Sequence, residues 1–296
     1  MTDTNIQTKP KTEIDMIELD SGISVRRMVV HAEQPKGTVI LLHGFPETIY
    51  AWPEVARALA DDYDVHTFDW PGYGLSSRPA VENFDYAPRT YAKLLGQYIA
   101  AAGIDRSTLT IYATDISALP TLLLALDEPD VARRIIVGDF APFDRPDLMH
   151  PMLRDLKMKP MADQIRDARN AAWEGVVEGK GFGAGLPPEA QFDVAREFKD
   201  DMARSWNHSG MTTMDAFYHY YLHFTRDENY FEQRLGEMKA NVKVVWGELD
   251  PYIVKAMGEE LAERLGVEFK ELTGIGHYAH SQDPKLVIAE IRESFL

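Results

Sequence analysis

The sequence predicts an α/β protein: an eight-stranded, mostly parallel sheet flanked by helices, with a helical block inserted after the sixth strand. Three observations point there. Short apolar runs alternate with helical patterns, which is how a parallel sheet covered by helices reads in sequence. That alternation stops near Pro142 and resumes near Val242, leaving a stretch rich in Met, Arg, Asp and aromatic residues between. Ahead of the first parallel run, Ile14–Val30 reads as antiparallel strands added at one edge.

After that edge pair, Val39–His43 is the first buried run, followed by a helical pattern at Trp52–Leu59. Val65–Trp70 and Tyr91–Ala102 make the next strand and helix, and Leu109–Ala113 and Ser117–Leu126 the pair after that. Ile135–Gly138 is the sixth strand. Runs this short and this apolar suit strands covered on both faces. The insertion has long helix-like stretches and few strand signals; its Gly-rich break KGFGAGLPPE, Lys180–Glu189, reads as a surface loop or as the hinge of a lid. The alternation then resumes with Lys243–Trp246, a helix at Val254–Leu265, a last strand at Glu268–Leu272 and a last helix at Lys285–Phe295.

At 296 residues and 45% hydrophobic content the chain can bury a large core. Its formal charge of −16 argues against nucleic acid or an anionic membrane as partner, since both reward clustered Lys and Arg. There is no cysteine, so thiolate nucleophiles and Cys-ligated metals are excluded, and no metal or other cofactor is expected. The polar opening MTDTNIQTKPKTEIDMIELD has no apolar signal region, and no run approaches the length of a membrane helix. A cytoplasmic location is expected, and self-association is compatible with the sequence.

One turn concentrates the chemistry. In LTIYATDISALPTLLLAL, Leu109–Leu126, a buried strand turns sharply into a helix with Asp115 at the corner. Two residues either side stand Ala113 and Ser117, both small, as a tight elbow requires around a nucleophile. The helix N-terminus that follows favours a negative charge; an Asp that merely caps this helix is the simpler alternative. Other strand ends carry His43-Gly44-Phe45-Pro46, Asp139, Asp250 and, in a Gly-Ile-Gly-His loop, His277. Ligands of open α/β sheets bind at that carboxyl edge. No G-x-S-x-G competes for the elbow.

With HGFPET, WPGYGLSSRP and GHYAH, nearly the whole chain resembles the α/β-hydrolase superfamily, most closely its Asp-nucleophile branch of epoxide hydrolases and haloalkane or haloacetate dehalogenases. The resemblance implies a core of residues 1–141 and 242–296 under a helical cap of residues 142–241. It implies Asp115 as nucleophile on a saturated carbon, His277 as base for the water that cleaves the resulting ester, and the backbone N–H groups of Phe45 and Ile116 as oxyanion hole. Asp250 is favoured as the acid orienting His277, with Asp139, 24 residues beyond Asp115, as the alternative.

The substrate is then a small apolar organic molecule, with water as co-substrate. Epoxide hydrolases supply cap hydroxyls to the opening ring, and MDAFYHYYLHF offers Tyr218, Tyr220 and above all Tyr221. An earlier cap tyrosine is missing, so His150, Trp173 or another group has to replace it. His43 is a further candidate contact. Haloalkane dehalogenases resemble one another in a Trp after the nucleophile, where this chain has Ile116; fluoroacetate-type enzymes carry arginines there, where it has Ile116, Ser117, Ala118 and Leu119. Epoxide hydrolysis is therefore the first expectation, dehalogenation the second, and small-ligand binding without turnover the third.

Overall fold

The computed structural model describes residues 10–296. The first nine residues, and the expectation attached to them that no signal segment is present, lie outside the described part. A hairpin of β1 (Lys11–Glu18) and β2 (Ser24–His31) opens the chain, followed by β3 (Thr38–Leu42), α1 (Pro53–Leu59), β4 (Asp64–Phe68) and α2 (Pro88–Ala101). Then come β5 (Leu109–Thr114), α3 (Ala118–Asp127) and β6 (Arg134–Gly138). Five helices follow before the sheet resumes: α4 (Pro151–Asp155), α5 (Met161–Ala171), α6 (Trp173–Val177), α7 (Arg196–Ser205) and α8 (Thr213–Arg234). A two-residue hairpin, β7 (Asn207–His208) and β8 (Met211–Thr212), precedes α8. The end of the chain is β9 (Val242–Gly247), α9 (Ala256–Leu265), β10 (Phe269–Leu272), α10 (Ala279–Gln282) and α11 (Pro284–Glu293).

The eight strands of the main sheet lie in the order β1-β2-β4-β3-β5-β6-β9-β10, antiparallel at β1–β2 and β2–β4 and parallel everywhere else. Every residue of β5 and of β9 is buried, as strands with helices on both faces must be. One face packs on α1 and α11 through Trp52, Val55, Val287 and Ile291. The other packs on α2, α3 and α9 through Leu95, Leu119 and Leu261. Element ends depart from the sequence reading where local chemistry decides them. Helix α2 starts at Pro88 rather than Tyr91, because a proline at the first helical position loses no hydrogen bond. Helix α8 starts on a capping box in which Thr212 and Asp215 satisfy each other's backbone N–H.

The helices between β6 and β9 are bound to the sheet by buried charge. The Arg26 guanidinium, on β2, reaches Asp69 at 2.5 Å and, with both terminal nitrogens, Asp201 of α7 at 2.6 and 2.9 Å. All three side chains are buried. Removing Arg26 strands the buried Asp69 without its cation and leaves Asp201 only the more exposed Arg204. Arg26→Met is therefore expected to lower unfolding free energy by ~3–5 kcal/mol, read from the urea midpoint against wild type. Among the described residues no helix is long and apolar enough to cross a membrane.

Candidate active site

Five strand ends of the parallel sheet meet beneath the helical insertion. Strand β5 ends at Asp115, whose φ of +53° lies in the left-handed region, an uncommon and costly conformation for a residue with a side chain. It leads through a short turn into α3. Gly44, after β3, explains part of the close fit: a Cβ there would sit 2.5 Å from the Cβ of Asp115. Ser117 turns inward and donates to the Thr114 carbonyl at 2.6 Å, holding the turn tight.

The Asp115 carboxylate is divided between two sets of partners. Its Oδ1 accepts from the backbone N–H of Phe45 at 3.0 Å and of Ile116 at 2.5 Å. Its Oδ2 faces Nε2 of His277 at 2.9 Å. The other ring nitrogen of His277 faces Oδ2 of Asp250 at 2.8 Å. Asp250 is itself held by the N–H groups of Tyr252 and Ile253, at 2.7 and 3.2 Å on Oδ1. Burial opposes a charge on His277, but carboxylates on both ring nitrogens outweigh it and hold its pKa well above the ordinary histidine value.

Asp139, after β6, does not reach His277. It is buried at φ +53°, with Oδ1 accepting from Gly247 N–H at 2.8 Å and Oδ2 without a hydrogen-bond partner among the described residues. Burial first, and the nearby Asp250 second, push its pKa well above the usual carboxylate range. Of the two candidate acids, only Asp250 contacts the imidazole.

Asp115 and His277 open onto a cavity of about 430 Å³, within the usual range for small-molecule sites. The insertion supplies Leu153, Val176, Met214 and Phe217 to its wall, and the core supplies Phe45, Tyr252 and Tyr278. Lys180–Glu189 is not a detached surface loop. Its Phe182 is buried, stacks on Tyr278 at 4.2 Å and lines the cavity.

The candidate cap contacts separate. Tyr221 lies with Asp115 on a much smaller adjoining pocket, and its hydroxyl has no hydrogen-bond partner among the described residues. Tyr220 lines that pocket too, but its hydroxyl donates to the Ile116 carbonyl at 3.0 Å. Tyr218 points elsewhere, donating to Asp163 at 2.6 Å beneath Arg166. Trp173 stacks on Trp206 and is absent from the cavity wall, and His150 caps α4 through Met152 N–H. His43 is buried behind the site, its Nε2 accepting from Trp70 N–H at 3.2 Å and its Nδ1 thus donating to Gly44 O at 2.9 Å. Burial lowers its pKa, and it stays a neutral brace for the loop.

Sequence reasoning missed three side chains. Tyr252 and Tyr278 stand edge-on to the His277 ring, at 5.1 and 4.8 Å. Their only signal was adjacency, in DPYI and GHYAH. Glu47 was also missed. It accepts from Gly44 N–H at 2.8 Å and from His280 at 2.7 Å, tying the loop that bears Phe45 N–H to the loop that bears His277.

A family model described as alpha/beta hydrolase fold matches residues 37–284. The chain is 34% identical to a fluoroacetate dehalogenase of Burkholderia over 126 residues, covering 42% of this chain and 40% of that one. It is 26% identical to epoxide hydrolase A of Mycobacterium tuberculosis, over 91% of this chain and 94% of that one. Among solved structures, haloalkane dehalogenase DbeA from Bradyrhizobium elkani superposes with a TM-score of 0.74 at 17% identity, over 96% of this chain and all (100%) of that one. At that identity the likeness is one of fold.

Proposed function

The chain belongs to the α/β-hydrolase fold family, and on that premise we propose that it hydrolyses a small apolar epoxide through an alkyl ester on Asp115. The observation that carries this reading is the divided Asp115 carboxylate. One oxygen sits on two backbone N–H donors, and the other faces both the cavity and His277. An oxygen so placed can attack a saturated carbon while the first becomes the ester carbonyl, already in its oxyanion hole. His277 then takes a proton from water as the water adds to the ester carbon. Collapse of the tetrahedral intermediate returns that proton to the departing alkoxide. The second proton of the water, left on the Asp115 carboxyl, replaces the one given to the opened ring oxygen, so that a diol leaves and the Asp115 carboxylate is restored. Asp250 holds the imidazole, and residues 142–241 act as a cap over a core of residues 1–141 and 242–296.

What favours an epoxide is Tyr221. Ring opening creates an alkoxide beside Asp115, and the Tyr221 hydroxyl is uncommitted, whereas those of Tyr220, Tyr252 and Tyr278 are already donating to carbonyls. A haloalkane would meet the same nucleophile, and relatives named as dehalogenases keep that second reading open. Incubation with epoxides and haloalkanes of matched carbon skeleton, with assay of diol and of free halide, tests the choice. Tyr221→Phe is expected to slow epoxide opening by about 10²-fold and to leave any halide displacement within a few-fold. Halide release without diol formation would replace the epoxide reading by the dehalogenase one.

A further inference from the structure

The wall of the cavity carries two cations that the chemistry above does not use. Arg169, in α5, and Lys180, after α6, both line it, and both side chains are exposed at its solvent side. Asp115 is the one carboxylate on the same wall. Exposed cations are usually only solvated, but the rest of the insertion argues otherwise. Between residues 150 and 205 every other Lys and Arg, from Arg154 and Lys157 to Lys199 and Arg204, has a carboxylate within 4.0 Å. Among the described residues Arg169 reaches only the Met152 sulfur, at 2.8 Å, and Lys180 has no polar partner, its side chain lying over Gly175. Met152 and Gly175 are themselves part of the wall. In a chain of net charge −16, the unpaired positive charge of this segment gathers at the rim of its one apolar cavity that holds Asp115 and His277.

We propose that the substrate is amphipathic, an apolar chain that reacts at Asp115 and ends in an anionic head held at the rim by Arg169 and Lys180. This rests on the reading of Asp115 as the reacting group. The guanidinium offers a fork matched to a carboxylate, and the ammonium adds a point charge. The wall beside Asp115 is otherwise apolar, with Phe45, Leu153, Met214 and Phe217, and the Asp115 carboxylate itself repels an anionic head from that end of the cavity. The head therefore faces water while the reacting carbon faces Asp115, which makes an ω-epoxy carboxylate the simplest fitting class.

Binding and turnover test this separately. Calorimetry of the wild-type protein with octanoate, octyl phosphate and octan-1-ol is expected to give roughly tenfold tighter binding of the carboxylate than of the alcohol. The preference should shrink in high salt. In the Arg169→Gln, Lys180→Gln double variant the preference should vanish, with octan-1-ol binding unchanged. Equal binding of all three ligands, or a preference that survives the double variant, overturns the proposal. A preference confined to octyl phosphate keeps the rim site and reassigns its head to a phosphate. Turnover of an ω-epoxy acid against its methyl ester is the second arm. Anion-selective binding with no hydrolysis of either would sink the Asp115 reading alone, and equal hydrolysis of both would sink the anionic head alone.

Discussion

His277→Gln is expected to stop turnover while leaving the first chemical step intact, so that the protein gains the mass of its substrate. Asp115 needs no base to attack a strained or halogenated carbon, because one carboxylate oxygen is held on the N–H groups of Phe45 and Ile116 while the other is left facing the cavity. The ester that results has no strong nucleophile to meet without His277, and base catalysis of this kind is worth about 10²–10⁴ in rate. Intact-protein mass spectrometry should therefore find a gain equal to a whole epoxide, or to an alkyl group where a halide has left. Neither adduct should form on the Asp115→Asn, His277→Gln double variant. A folded His277→Gln protein that turns over normally, with no adduct, would mean that water attacks the substrate directly and that Asp115 is not the acceptor.

The same geometry sets the pH dependence. A base must be neutral to act, yet His277 in the free protein is held well above its ordinary pKa by Asp250 and Asp115 against the opposing effect of burial. Alkylation removes the Asp115 charge and with it part of what keeps the imidazole protonated. The pKa of His277 then falls, and the base is released at the step that uses it. The ester-cleavage rate should rise with pH and level off at a lower pH than the one at which His277 titrates in the unreacted protein. Single-turnover kinetics against a histidine NMR titration would compare the two.

Much of this arrangement was legible because it sits at strand ends. Buried parallel strands are short apolar runs, so their boundaries fall within a few residues of the reading, and the residues just past them are few. Asp115, Asp250 and His277 each follow such a run, and the structure brings them into one hydrogen-bonded line. Helix α8 was harder. Phe217, Tyr218, Tyr220, Tyr221 and Phe224 are all buried, so an aromatic stripe wraps most of the helix and periodicity cannot say which tyrosine faces Asp115. Tyr218 turned out to face Asp163 and α5. The Arg26–Asp69–Asp201 cluster joins residues 175 apart, and nothing local in the sequence marks such a contact. The β7–β8 hairpin has two residues per strand, too few to carry an alternation.

Exchanging each strand-end acid for its amide should separate two carboxyls that look alike in sequence. Asp250→Asn puts an NH₂ or a neutral oxygen against the His277 ring nitrogen that now faces a carboxylate at 2.8 Å. The imidazole loses the partner that fixes its tautomer and supports its positive charge, and the comparable loss in a buried Asp–His pair is on the order of 10⁴ in kcat. Asp139→Asn should leave activity within a few-fold. Its Oδ1 only accepts from Gly247 N–H, which an amide oxygen also does, and its Oδ2 has nothing to lose. Stability should move the other way. The folded-state pKa of Asp139 is raised, chiefly by burial, so the stability it contributes is present below its unfolded pKa and is lost as pH rises toward the folded one. Asn carries no such dependence. The Tm of Asp139→Asn relative to wild type should therefore increase from about pH 4, near the unfolded value of an aspartate, toward neutral and alkaline pH. If Asp139→Asn instead abolishes turnover while Asp250→Asn spares it, the acid that serves His277 is the one after β6, and the contact with Asp250 has another purpose.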